Sequence, residues 1–128
     1  ADSAKIPGYY HALVTPKALE IGPQIKNTLA KAWKEGVKIA FGTDAGVYKH
    51  GKNWLEFIYM MEAGMPAMET IKSATIHAAD LLGMKDQLGS IEVGKLADII
   101  AVDGNPLQDN KAFEKVSFIM KDGIIYKN

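Results

Sequence analysis

VKIAFGTDAG, residues 37–46, is a β-branched and aromatic run bounded by Gly36 and Gly42 that stops at Thr43-Asp44 and turns on Gly46. A short apolar run of this kind predicts a strand buried on both faces. Asp44 falls just past its end. Side chains at the carboxyl end of a buried parallel strand reach the mouth of a β/α barrel while the strand below holds them rigid, so Asp44 is the candidate catalytic residue.

Upstream, Ile21, Ile25, Leu29 and Trp33 recur every four residues. This predicts an amphipathic helix of about 14 residues with Pro23 in its first turn and Gly36 ending it. Residues 1–16, ADSAKIPGYYHALVTP, have two prolines, a glycine and two adjacent tyrosines without periodicity, which predicts a loop. A helix running straight into an apolar strand is half of an α/β unit and demands a parallel neighbour, yet no upstream strand is present to supply one.

Downstream, Asn53 with Glu56 three positions later predicts a capped helix start. Gly64 ends that helix, and Pro66 opens a second whose apolar members Ile71, Ala74, Ala78 and Leu82 keep helical spacing to Gly83, with a break at Thr75. The pair reads as a helical hairpin with Trp54, Phe57, Ile58 and Met61 facing inward. From Gly89 the texture changes to short strands at 97–102, 116–120 and 124–126, separated by Gly94-Lys95, Gly104-Asn105-Pro106 and Asp122-Gly123. The last of these is a hairpin signal, because both residues tolerate positive φ.

Fifteen basic and fifteen acidic residues cancel, so no net field favours nucleic acid or an anionic membrane as partner. The longest apolar runs, about six residues, fall far short of the roughly 20 that span a bilayer. No basic segment followed by an apolar core opens the chain. A soluble protein is expected, with the cytoplasm favoured over the periplasm or secretion. Cysteine is absent, so any metal must be held by histidine, carboxylate or water.

Taken together, GVKIAFGTDAG (36–46), HGKNWLEF (50–57), EAGMPAMETIKSAT (62–75), LGSIEVGKLADIIAVDGNP (88–106) and IMKDGIIY (119–126) resemble the carboxyl-terminal third of a metal-dependent amidohydrolase, nearest the imidazolonepropionase-like branch that includes Xaa-Pro dipeptidases. Each motif is weak alone, but five in order are specific. The resemblance implies an α/β fold: residues 1–88 as the last strand and helices of a (β/α)8 metal-dependent hydrolase barrel, residues 89–128 as returning strands of a small β-sandwich. A typical barrel has roughly 250 residues, so under this resemblance the 128 residues are expected to be a carboxyl-terminal fragment.

The resemblance further implies a divalent metal, Zn2+ above others, with Asp44 as a ligand that orients the attacking water and shuttles its proton. The family's centre also needs a His-x-His pair, a bridging carboxylate or carbamylated lysine, and two single histidines. His11, His50 and His77 lack that pattern, so most ligands are expected outside this chain and the fragment alone is expected to be inactive. Asp44 could instead cap its own turn. His50 is a substrate-binding or loop-ordering residue, and Tyr10 and His11, with Tyr9, are rim-loop candidates for substrate binding. Lys49 and Lys52 could attract a substrate carboxylate or be solvated. Asn53 reads as a cap, His77 as structural, Met60, Met61, Met65, Met68 and Met84 as core filling, and Asp98 and Asp103 as turn contacts.

The implied function is hydrolysis of a C–N amide bond, with an Xaa-Pro dipeptide as substrate class. A cyclic amide of the imidazolone type and a carboxyl-terminal basic residue are the enzymatic alternatives, and a non-catalytic binding or assembly module is the alternative of another class. The expected partners are a small peptide or cyclic amide substrate, the missing amino-terminal part of the barrel and further copies of the chain in a homo-oligomer.

Overall fold

A computed structural model describes residues 2–46 and 50–128. Lys49 lies outside them. The α-helices are α1 (Thr15–Lys34), α2 (Leu55–Glu62), α3 (Ala67–Ala74) and α4 (Ile76–Leu81), followed by strands β1 (Ile99–Val102), β2 (Val116–Lys121) and β3 (Ile124–Lys127). Short 3-10 helices occupy Asp2–Lys5 and Asn110–Glu114. The chain divides into two compact units, Ala1–Val37 and Lys38–Asn128.

In the first unit, α1 begins at Thr15, within the stretch expected to be a loop, and runs 20 residues. Pro16 at its first turn explains the early start, since its ring fixes a helical φ where an N–H has no partner anyway. Pro23 consequently lies inside the helix rather than near its start, where it removes one backbone donor. The helix ends as expected at Gly36 (φ 76°), with the Gly36 N–H donating to the Trp33 carbonyl and the Val37 N–H to that of Ala32. Those two bonds form a Schellman cap. No residue of α1 is buried.

The second unit uses the same device twice. Gly64 and Gly83, both at positive φ, close α2 and α4 with N–H groups aimed back at Met61 and Asp80, while Met65 and Met84 donate to Met60 and Ala79. The helix break at Thr75 is present: its backbone (φ −122°, ψ −95°) separates α3 from α4. The core of the unit comprises Met60, Ala63, Met65, Ala79, Ala112 and Phe113, with Thr70 and Ser73 fully buried among them. Both hydroxyls are satisfied locally, Thr70 Oγ1 donating to the Pro66 carbonyl (3.1 Å) and Ser73 Oγ to that of Thr70 (2.6 Å). On α2 the buried methionine is Met60 rather than Met61.

The three strands form one antiparallel sheet in the order β1-β2-β3. Asp122 and Gly123 join β2 to β3 as a two-residue turn with φ of 50° and 76°, the type I′ geometry the sequence predicts. One expectation fails. Residues 37–44 belong to no strand among the described residues. A strand exists only with a ladder partner, and this segment is instead tied to α3 through the Phe41 N–H, which donates to the Ser73 carbonyl (3.0 Å).

Candidate active-site segment

Phe41 anchors the approach to Asp44. Its ring lies 4.5 Å from Phe57 on α2, and Phe57 stacks in turn on Phe113 at 4.3 Å with planes 7° apart. Aromatic contacts at these separations add to ordinary area burial. Three stretches far apart in sequence are thus tied together two residues before Thr43.

Thr43 is then held from its side chain. The Asn53 amide Nδ2 donates to Thr43 Oγ1 at 3.1 Å, closing the loop that contains Asp44 and His50. Asn53 therefore does not cap a helix as expected: α2 starts at Leu55 without a side-chain cap, and the Asn53 amide is spent on Thr43. Asp44 follows at φ 46°, in the left-handed region that Asp enters more readily than bulkier residues. Its side chain is exposed, and among the described residues its carboxylate has no hydrogen-bond or ion-pair partner. The alternative cap on its own turn is accordingly not formed among those residues.

His50 is exposed at the turn beside Gly51. Lys52, weighed as a substrate anchor, pairs with Glu114 (3.5 Å) and lies over the Trp54 ring (5.7 Å). Glu56, on the first turn of α2, is half-buried, and burial raises its carboxyl above the ordinary carboxylate range. Tyr10 and His11 belong to the other unit, where they frame the start of α1: the Leu13 N–H donates to His11 Nδ1 (3.3 Å) and Thr15 Oγ1 approaches the Tyr10 carbonyl at 3.5 Å. Two clefts of the second unit, about 340 Å³ between α3, α4 and β1 and about 240 Å³ beside Pro106, are lined by neither Asp44 nor His50.

Among the described residues no group of three or more His, Asp or Glu side chains is placed to hold a metal ion. The described donor set therefore does not make a metal centre by itself. Asp44 offers one outward carboxylate. Two ties around it, Thr43 to Asn53 and Phe57 to Phe113, were not visible in the sequence, because no spacing rule marks contacts closed by tertiary folding.

A family model described as the amidohydrolase family matches residues 3–127, and the chain belongs to that family, whose members have a barrel-type hydrolase fold and generally bind divalent metals. A solved Xaa-Pro dipeptidase with methionine bound in its active site is 56% identical, with a TM-score of 0.91, over 100% of this chain and 32% of that one. The ochratoxinase of Aspergillus niger is 39% identical over 101 residues, 75% of this chain and 21% of that protein. The 5-methylthioadenosine/S-adenosylhomocysteine deaminase of Thermoanaerobacter pseudethanolicus is 36% identical over 80 residues, 55% of this chain and 19% of that protein. The chain thus spans about a fifth of these two relatives and about a third of the solved structure.

Proposed function

We propose that the complete protein hydrolyses the amide bond of an Xaa-Pro dipeptide and that Asp44 moves the proton. The observation that carries this reading is the 56% identity over the whole chain to a solved Xaa-Pro dipeptidase. The exposed Asp44 carboxylate, held in a rarely populated backbone region and unused by the described fold, supports its role. In the reaction, water attacks the amide carbon, its proton passes to the Asp44 carboxylate, and Asp44 returns that proton to the nitrogen as the C–N bond breaks. A divalent metal, zinc in this reading, would lower the pKa of water toward about 7 when bound, and of the described residues Asp44 would be the one to hold it. Residues 1–88 are read as barrel elements and 89–128 as strands of a small β-sandwich.

The deaminase among the relatives favours a second reading, hydrolytic loss of an amine from a purine nucleoside. Incubating the complete protein with Xaa-Pro dipeptides and, separately, with 5-methylthioadenosine separates them: released proline is expected, and ammonia without proline overturns the dipeptidase reading. Asp44→Asn should lower turnover by about 100- to 10,000-fold, the range for a lost general base, while the thermal transition stays in place. Retained turnover overturns the role of Asp44.

A further inference from the structure

We propose that Asn53 is a positioning residue for Asp44, acting through the hydroxyl of Thr43; this rests on the proton-transfer reading of Asp44. Three observations carry it. The Asn53 amide reaches back ten positions to Thr43, the residue immediately before Asp44, with an Nδ2 to Oγ1 distance of 3.1 Å between half-buried partners. Asp44 itself has a left-handed backbone and an exposed carboxylate without a partner among the described residues, so no contact of its own side chain with those residues sets its direction. And α2, which carries the residues just after Asn53, is fixed to the core through Phe57 and the buried Met60.

The geometry follows from those facts. Phe41 is tethered by its backbone N–H to Ser73 and by its ring to Phe57, which sets the segment two residues before Thr43. The Asn53 amide helps to hold Thr43 itself. With the chain held at both points, the backbone that leads into Asp44 is restrained, and with it the direction in which the Asp44 side chain leaves the turn. Asn suits the task because its neutral NH₂ can donate to a hydroxyl without bringing a charge beside Asp44. A carboxylate at position 53 has no such proton and would repel Asp44. The bond is made to the side chain of Thr43, which has a further interaction besides, so its loss loosens the turn by one tie without removing a core contact.

The test uses the complete protein with an Xaa-Pro dipeptide and, independently of activity, hydrogen exchange of peptides covering residues 41–46. Asn53→Ala and Thr43→Val should each lower kcat by about 10- to 100-fold with KM within about threefold, the scale expected when a reacting group is displaced by roughly an ångström. Thr43→Ser keeps the acceptor oxygen and should retain near wild-type kcat. Because both partners act through one bond, the double variant Thr43→Val/Asn53→Ala should be no slower than the slower single variant. Exchange in residues 41–46 should rise in Asn53→Ala while that of α3 stays unchanged. Unchanged kcat in both single variants, multiplicative losses in the double variant, or unchanged exchange in residues 41–46 each overturns the proposal. If Asn53→Ala proves insoluble, Thr43→Val against Thr43→Ser gives the same decision. Full activity of Asp44→Asn marks failure of the underlying reading instead, and in that event the exchange measurement still reports whether Asn53 holds the turn.

Discussion

The left-handed backbone at Asp44 (φ 46°) narrows what can stand there, since Asn visits that region as Asp does whereas β-branched residues do not. Asn therefore removes the ionisable group and leaves the turn, which makes it the informative substitution. Gly89 is a sharper case of backbone demand. It has a φ of 90°, and a Cβ there would come within 2.8 Å of the Ala79 Cβ and 3.0 Å of both the Ile76 Cα and the Thr75 carbonyl oxygen. Two of those three atoms are backbone at the α3 to α4 break and cannot swing aside. Gly89→Ala should cost about 2 to 4 kcal/mol, overpacking added to the left-handed penalty. Gly83→Ala meets nothing within 4 Å and should show the backbone penalty alone, about 1 to 2 kcal/mol. Denaturant midpoints with unchanged slopes are the measurement, and equal losses at the two glycines would refute the steric account.

At the scale of elements, the β2 to β3 hairpin is fastened to the start of β1 by the Gly123 N–H, which donates to the Ala97 carbonyl (3.2 Å), and by one carboxylate. Asp98 accepts the Asp122 N–H (2.9 Å) and the Lys121 ammonium (2.7 Å), and these bonds, the first before the second, hold its pKa below the ordinary carboxylate range. A folded pKa below the unfolded one means the stabilisation is present above the unfolded value, near 4, and is lost as the pH falls through the lower folded value. Asp98→Asn should therefore be less stable than the wild type at neutral pH, with the gap closing below about pH 4. Glu56, displaced upward by burial, titrates in both proteins and cancels in the comparison. A gap that ignores pH would sink this attribution. The hairpin was legible because Asp122-Gly123 signals its turn locally, as do the glycines that end α1, α2 and α4. Residues 37–42 read as a strand because their side chains are those of one, but a strand also needs a ladder partner, which local composition does not contain. The early start of α1 was masked by Tyr9-Tyr10 and Pro16, and Asn53 looked like a cap because its true partner, Thr43, becomes a neighbour only after folding.

At the scale of the molecule, the family was legible from the five spaced motifs, whereas the surroundings of Asp44 depend on partners that no motif names. Two apolar surfaces bear on what the chain does alone. No residue of α1 is buried, and Ile25 is 65% exposed. Every residue of β3 is exposed, and its outer edge offers unpaired backbone groups to another strand. Fifteen positive and fifteen negative side chains give no net repulsion near the isoelectric point of about 7.1. An isolated chain of these 128 residues should accordingly bind a hydrophobic dye and self-associate at neutral pH, and sediment as smaller species well above its isoelectric point, where net negative charge separates the copies. A dye-silent monomer at neutral pH would instead favour a self-sufficient module, since only a chain that buries its own apolar faces could behave that way at zero net charge.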